Sequence, residues 1–454
     1  MSVNIYDVID KKKLDIVSES IENAHGLPNE CYLDGPYTKI ERKKIFEDKW
    51  VTIGTASSIP NPGDAEPFDL LGIPLILLRD KEKKIRVFHN VCSHRGYKLL
   101  QESCNIKNVL RCPYHSWSYD FSGNLIATPN LGGININKNE NFDNSKNGLK
   151  EVRSDVWLDL IMVNISNNEI PFQDYIKPLE NRWSQFWTKK DQESIHRAKD
   201  YGYFVLKAKC NWKFAIENYC ESYHLPWVHP GLNSYSKIDD HYHIQGLPNR
   251  FAGQGTVVYN PRFKGRNKFP KFPGWSKNKK MHAEYIALFP NIMLGIHRDH
   301  YYAYWLEPIS HNYTKEHMVI YYVGAEAANS KKYENIRKQN YEIWEMTMMK
   351  EKLSGIITSD ELRKRETTIT TLDIYYPKLS KSSDGDCNPL FFKPDQHMSH
   401  MEHMEINDTS YLLHMIPHHQ VAIDMSKRLL LHTDNDYLLD FCRKLIIDQQ
   451  GEIF

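Results

Sequence analysis

No run of 18 or more apolar residues occurs in the chain, so no helix is expected to span a membrane. Cysteine is scarce. There are eight in 454 residues, at positions 31, 92, 104, 112, 210, 220, 387 and 442, too few for a disulfide scaffold. Neither sign of charge is in excess. Fifty-eight Lys and Arg face 57 Asp and Glu, a formal net charge of +1, which gives no global attraction to nucleic acid or acidic lipid. No G-x-G-x-x-G occurs, so the chain is not expected to bind a dinucleotide of its own. The opening MSVNIYDVIDKKKLD has charges with no apolar core behind them, which does not read as a secretory leader. A reducing cytoplasm is the expected setting, with most thiols free.

What is present is an ordinary globular composition, 41% hydrophobic and 25% charged, in a chain long enough for two or three domains. The pattern changes along it. Residues 42–155 read as short strands: LLGIPLILLRD and KIRVFHNV flank the charged turn at Asp80–Lys83, and YDFSGNLI reads as a hairpin turning at Ser122–Asn124. Residues 201–330 mix strands with one helix, NWKFAIENYCESYH. Asn211 is its expected cap, His224 its last residue and Pro226 its stop. YFVLKAK, GTVVYN, EYIALFP, NIMLGIH, HYYAYWLEP and HMVIYYVG are strand candidates for one antiparallel sheet. Beyond residue 330, KKYENIRKQNYEIWEMTMMKEK and DNDYLLDFCRKLIID read as helices, with SKSSDGDCNPLFFKPDQ as loop between them.

The strongest chemical signal is Cys92-Ser-His94-Arg-Gly followed by Cys112-Pro-Tyr-His115. Two thiolates can hold one iron and two imidazoles the other. Replacing two thiolates by neutral imidazoles raises the potential of a two-iron, two-sulfur cluster. Cys92-x-His94 is too close for one helix face, so each half is expected on a loop at a β-hairpin tip, with the His edges outward. Zinc knuckles usually open Cys-x2-4-Cys, which sets zinc below iron. Cys104 has no partner of its own and reads as a free thiol.

NVCSHRGYKLL…LRCPYHSWSYDFSGNL resembles the Rieske domain of the ring-hydroxylating oxygenases, large (alpha) subunit type. The upstream LPNECYLDGPYTKIERKKIFEDKWVTIGTASSIPNPGD resembles that family's lead-in. Ser116 stands where the family usually has Gly. The resemblance implies an α+β fold: a lead-in over 1–41 packing on the catalytic domain, an all-β Rieske domain over 42–155, and a catalytic domain over 156–454 with an antiparallel sheet flanked by helices, of helix-grip type.

The second constellation is His224 and His229, five apart with Pro226 between them. Two imidazoles and one carboxylate would make a facial triad that leaves iron(II) positions open. NWKFAIENYCESYHLPWVHP resembles the family's iron-binding helix along its whole length, which implies His224 and His229 as ligands and Glu221 as the acid bridging a cluster His to an iron His. Family branches acting on aromatic rings usually have Asp there. Those acting on choline, carnitine or betaine have Glu in a Glu-Cys-Tyr-His context. Glu221-Ser-Tyr-His224 sides with these quaternary-amine enzymes, with Ser for Cys as a departure. For the third ligand, Asp373 in ITTLDIYYPKL is preferred, with Asp360 and Glu351 as the other choices; Trp344 marks the helix that precedes it in the family.

The resemblance implies an oxygenase with a Rieske [2Fe-2S] cluster and a mononuclear Fe(II), using O2 and electrons drawn from NAD(P)H through a separate reductase or ferredoxin. A small organic molecule would be hydroxylated, in the amine branch with oxidative N-demethylation as one outcome. It also implies a homotrimer, with Glu221 bridging His115 of one copy and His224 of another. The competing expectations are an aromatic ring-hydroxylating mono- or dioxygenase and, in another class, a Rieske electron-transfer protein without oxygen chemistry. The chain beyond residue 155 and the His224/His229 pair argue against the second.

Overall fold

The computed structural model of the protein describes residues 4–19 and 23–353. Ten strands form the first half: β1 (Val51–Thr55), β2 (Asp64–Leu70), β3 (Ile73–Arg79), β4 (Ile85–His89), β5 (Cys104–Asn105), β6 (Leu110–Arg111), β7 (Ser118–Tyr119), β8 (Leu125–Ala127), β9 (Glu151–Trp157) and β10 (Leu160–Asn164). Seven make one sheet in the order β1-β10-β9-β4-β3-β2-β5, and β6-β7-β8 make a small second one. The first sheet thus runs on to Asn164, past residue 155.

The unbroken apolar run in β3 has a physical reason. Leu75 and Leu77 pack into the large core shared with the second half, while Ile76 and Leu78 turn to a core holding Phe88, Cys92, Cys112, Trp117 and Tyr119. A strand covered on both faces loses its polar alternation. At the expected hairpin, Asp120 accepts from the backbone N–H groups of Ser122 and Asn124, and Gly123 takes φ +83°.

The second half contains α1 (Phe172–Trp183), β11 (Ile195–Arg197), β12 (Tyr203–Ala208), α2 (Trp212–Tyr219), α3 (Leu225–Val228) and α4 (Pro230–Asn233). After them come β13 (His241–Leu247), β14 (Phe251–Thr256), β15 (Ala283–Leu288), β16 (Ile292–Ile296), β17 (His300–Ser310), β18 (Tyr313–Val323) and α5 (Glu334–Leu353). Its eight strands form one antiparallel sheet ordered β11-β18-β17-β16-β15-β14-β13, with β12 also on β18. β17 again reads as a continuous apolar run because both faces are covered: Tyr301, Ala303 and Trp305 face one core and Tyr302, Tyr304 and Leu306 the other. α1 closes the first of these with Tyr175, Ile176, Leu179 and Trp183, and its Arg182 grips buried Glu284 through two bonds of 2.9 and 2.8 Å. The expected helix at 331–352 is α5, preceded by a short turn at Lys331–Tyr333. GTVVYN is strand only to Thr256, and β13 was not expected. The expected loop at SKSSDGDCNPLFFKPDQ and helix at DNDYLLDFCRKLIID lie outside the described residues.

Candidate metal centres

The first constellation divides by burial. Cys92 and Cys112 are 2% and 1% exposed, whereas His94 and His115 face solvent. The two imidazoles lie 4.7 Å apart between ring centroids, with His94 stacked on Trp117 at 4.5 Å. The two sulfurs are close enough to hydrogen-bond. Each loop is closed in the same way. Gly96 N–H donates to the Cys92 carbonyl (2.9 Å) and Ser116 N–H to that of Cys112 (3.0 Å), while Cys92 and Cys112 N–H donate to the carbonyls of Tyr97 (2.9 Å) and Trp117 (2.8 Å).

Both closures need a left-handed residue four positions after the Cys: Gly96 has φ +71° and Ser116 φ +59°. Ser116 therefore takes a backbone conformation costing about 1 kcal/mol for a residue with a Cβ. The second loop sits at the tip of the β6–β7 hairpin. The first does not, contrary to expectation, because β4 and β5 are not neighbours in the sheet. Buried Asn90 closes it instead, accepting from the N–H groups of Leu99 (2.9 Å) and Leu100 (2.8 Å) and donating to the Leu100 carbonyl (2.6 Å).

Tyr119 is the neighbour that sequence spacing did not single out. Its hydroxyl lies 3.2 Å from Cys92 Sγ and 2.9 Å from Ser93 Oγ, and it accepts from Ser93 N–H at 3.1 Å. Burial, and next the Cys92 sulfur, hold the phenol well above its ordinary range, so it remains a donor. Cys104 is an exposed free thiol on β5.

At the second constellation the expected long helix is broken. α2 ends at Tyr219 and its cap Cys220. His224 then occupies the N-cap of α3, with Pro226 inside the first turn, and His229 links α3 to α4. Pro226 starts a short helix rather than stopping a long one, because a first-turn residue has no intrahelical use for the N–H that Pro lacks. The break turns both imidazoles to one place, 5.0 Å apart and edge to face. The Glu221 carboxylate accepts from His224 N–H at 3.2 Å and from His224 Nδ1. When the imidazole is neutral and donates from Nδ1 to this carboxylate, Nε2 keeps its lone pair for a metal.

Two further residues hold this turn, neither marked by any motif. Gln254 on β14 donates to the carbonyls of Tyr219 (3.1 Å) and Glu221 (2.7 Å), and its Oε1 meets His241 Nδ1 at 2.9 Å. Burial pushes His241 down to about 4, so it stays neutral beside His224. Of the third-ligand choices, Asp373 and Asp360 lie outside the described residues, and of Glu351 only the backbone, in α5, is described. Trp344 is buried on that helix. Among the described residues no three His, Cys, Asp or Glu side chains converge on one point. The arrangement consists of pairs.

Residues 49–138 match the family model described as Rieske [2Fe-2S] domain, and residues 195–351 that of the ring hydroxylating alpha subunit, catalytic domain. The chain carries these two domains in that order. Residues 330–454 also match a domain of unknown function, DUF305, overlapping the catalytic match at α5. The carnitine monooxygenase oxygenase subunit of Escherichia coli is 28% identical over 49% of this chain and 57% of its own length. The chain thus spans little more than half of that relative. A quaternary ammonium Rieske monooxygenase solved with L-carnitine superposes with TM-score 0.56 at 20% identity, over 74% of this chain and 88% of that one. Naphthalene 1,2-dioxygenase from Rhodococcus does so with TM-score 0.56 at 18% identity, over 75% and 85%. The fold is common to both and does not separate their substrates.

The Rieske domain implies the [2Fe-2S] cluster and the catalytic domain a mononuclear iron. The donor sets fit. Burial pushes the Cys112 thiol up, with the Cys92 sulfur adding to it, and a metal that replaces the protons of two adjacent buried thiols removes that penalty. Cys92, Cys112, His94 and His115 would hold the cluster, and His224 and His229 the iron. No helix among the described residues is long and apolar enough to cross a membrane.

Proposed function

We propose that this chain is the oxygenase component of a Rieske system. It would take electrons from a separate NAD(P)H-dependent reductase or ferredoxin and use O2 to hydroxylate a small quaternary amine. The observation that carries the reading is the Glu221 carboxylate on His224 Nδ1, with His229 facing the same point. When bound, the cluster supplies single electrons and the iron an open position for oxygen.

The chain's own residues set up both sites. Cys92 and Cys112 keep the sulfur side dry, while His94 and His115 present an edge to solvent. Glu221 retains the Nδ1 proton of His224 and so orients the ring. Asp373 is proposed as the carboxylate ligand. His115 of a neighbouring copy is proposed as the other partner of Glu221, in a homotrimer closed head to tail. The proposed setting is the cytoplasm.

For the substrate, the Glu221-Ser-Tyr-His224 text and the carnitine relative favour a trimethylammonium compound. The interior behind α2 is rich in aromatic rings, the side-chain type that attracts a cation: Tyr285, Tyr302 and Trp344 pack together there, with Tyr219 donating to the Leu294 carbonyl beside them. Hydroxylation at an N-methyl or adjacent carbon gives a product that breaks down to an aldehyde. The test is oxygen uptake by purified protein with a generic reductase, comparing trimethylammonium compounds with neutral aromatics. Stimulation by aromatics alone would replace the amine reading with ring hydroxylation. A reducible cluster without oxygen uptake on any substrate would leave only electron transfer.

A further inference from the structure

The residues preceding the Rieske domain do more than lead into it. Tyr32 hydroxyl donates to Glu217 Oε1 at 2.5 Å, its ring stacks on Phe214 at 4.5 Å and 7°, and its carbonyl accepts from Asn211 Nδ2 at 3.2 Å. Buried Glu41 accepts from Lys213 Nζ at 2.5 Å and from Trp212 Nε1 at 3.1 Å. Five residues of α2 and its cap (211, 212, 213, 214 and 217) are thus gripped by two residues of the lead-in. The other end of α2 is held by Gln254.

Glu217 lies four residues before Glu221, and the backbone between them is the end of α2 and its cap. Glu221 and His224 follow α2 directly, in the turn after its cap. Removal from water pushes the Glu217 carboxyl up to about 7, so its uncharged form is accessible near neutrality and costs little to keep inside, and Tyr32 is a donor to either form.

We infer that the lead-in is a positioning element for the iron site, in which the Tyr32–Glu217 bond fixes the rotation of α2 and so the aim of Glu221 and His224. The inference rests on the proposed roles of Glu221 and His224 and adds that they are set by a segment outside both catalytic and Rieske matches. Tyr32 and Glu217 are positioning residues that act through α2.

The experiment compares Tyr32→Phe, Glu217→Gln and Glu217→Leu in the full-length holoprotein. Cluster absorption and iron content are measured first; if the wild-type protein lacks either, the proposed function fails and not this inference. The readouts are then the EPR line shape of the ferrous site with nitric oxide as probe, and single-turnover reoxidation of the reduced cluster. Tyr32→Phe and Glu217→Leu should alter the line shape and slow reoxidation about 10–100-fold, the scale of a displaced supporting group. Glu217→Gln, whose amide oxygen still accepts from Tyr32, should restore both to near wild type. Wild-type line shape and rate in Tyr32→Phe would overturn the inference. So would equal loss in Glu217→Gln and Glu217→Leu, which would make the charge and not the hydrogen bond the active feature. If Tyr32→Phe fails to fold, the Glu217 pair decides alone.

Discussion

Tyr119→Phe removes one hydroxyl from the sulfur side of the Rieske domain and leaves the ring, so packing against Phe88 and Trp117 in that core is kept. The phenolic proton has two acceptors within reach, Cys92 Sγ at 3.2 Å and Ser93 Oγ at 2.9 Å. Ser93 Oγ gives its own proton to the Asn147 carbonyl at 2.7 Å. With the cluster bound, Cys92 carries negative charge and is the stronger acceptor. That charge grows on reduction, so the bond stabilises the reduced cluster more than the oxidised one, and its removal lowers the potential. A hydrogen bond contributes about 1 kcal/mol net. For a one-electron couple, about 1.4 kcal/mol corresponds to about 59 mV, so a difference of about 1 kcal/mol in this bond between the two redox states corresponds to about 40 mV. The expected drop is about 20–40 mV, read by redox titration of the visible circular dichroism, with iron content unchanged. A shift below about 10 mV, or a rise, would refute the assignment of the Tyr119 proton to Cys92.

The two cluster loops should respond oppositely to glycine chemistry. Gly96→Ala should destabilise by about 1 kcal/mol through its φ alone, since the added Cβ meets nothing nearer than Val91 at 4.0 Å; Ser116→Gly should cause no loss. Thermal unfolding of the cluster-loaded protein checks both, and a stable Gly96→Ala would contradict the loop geometry. Glu221→Gln keeps the size of the side chain, so both metals should stay bound while single-turnover reoxidation of the cluster slows about 10–100-fold; an unchanged rate would reduce Glu221 to an ordinary surface acid. Asp373→Ala should lose the mononuclear iron while Asp360→Ala and Glu351→Ala keep it. Loss of iron only in Glu351→Ala would move the ligand into α5.

Much of both sites was open to reading because metal chemistry is local in the chain. Cys92-x-His94, Cys112-x-x-His115 and His224-x4-His229 each lie within one loop or turn, so residue type and spacing mark the first two as candidates, and the resemblance to the family's iron-binding helix marks the third. The strands were equally readable where side-chain character is uniform: β3 and β17 are apolar throughout because two cores claim alternate residues. Other features depended on contacts between distant residues, which spacing does not record. The hydroxyl of Tyr119 reaches Cys92 across 27 positions, Gln254 holds the turn at Glu221 from 33 positions away, and Glu217 is held by Tyr32 from 185 positions away. None of these residue types signals such a role by itself, since a Tyr, a Gln or a Glu fits equally well in a hundred surface settings. The helix break after Tyr219 belongs to the same class. The periodicity of NWKFAIENYCESYH permits a continuous helix, whereas in the structure the helix ends at Tyr219 and Gln254 holds the carbonyls of Tyr219 and Glu221 at the break. The sequence alone singled out the candidate iron-binding atoms. The tertiary structure decided which way they point, because aim is set by hydrogen bonds between segments far apart in the chain.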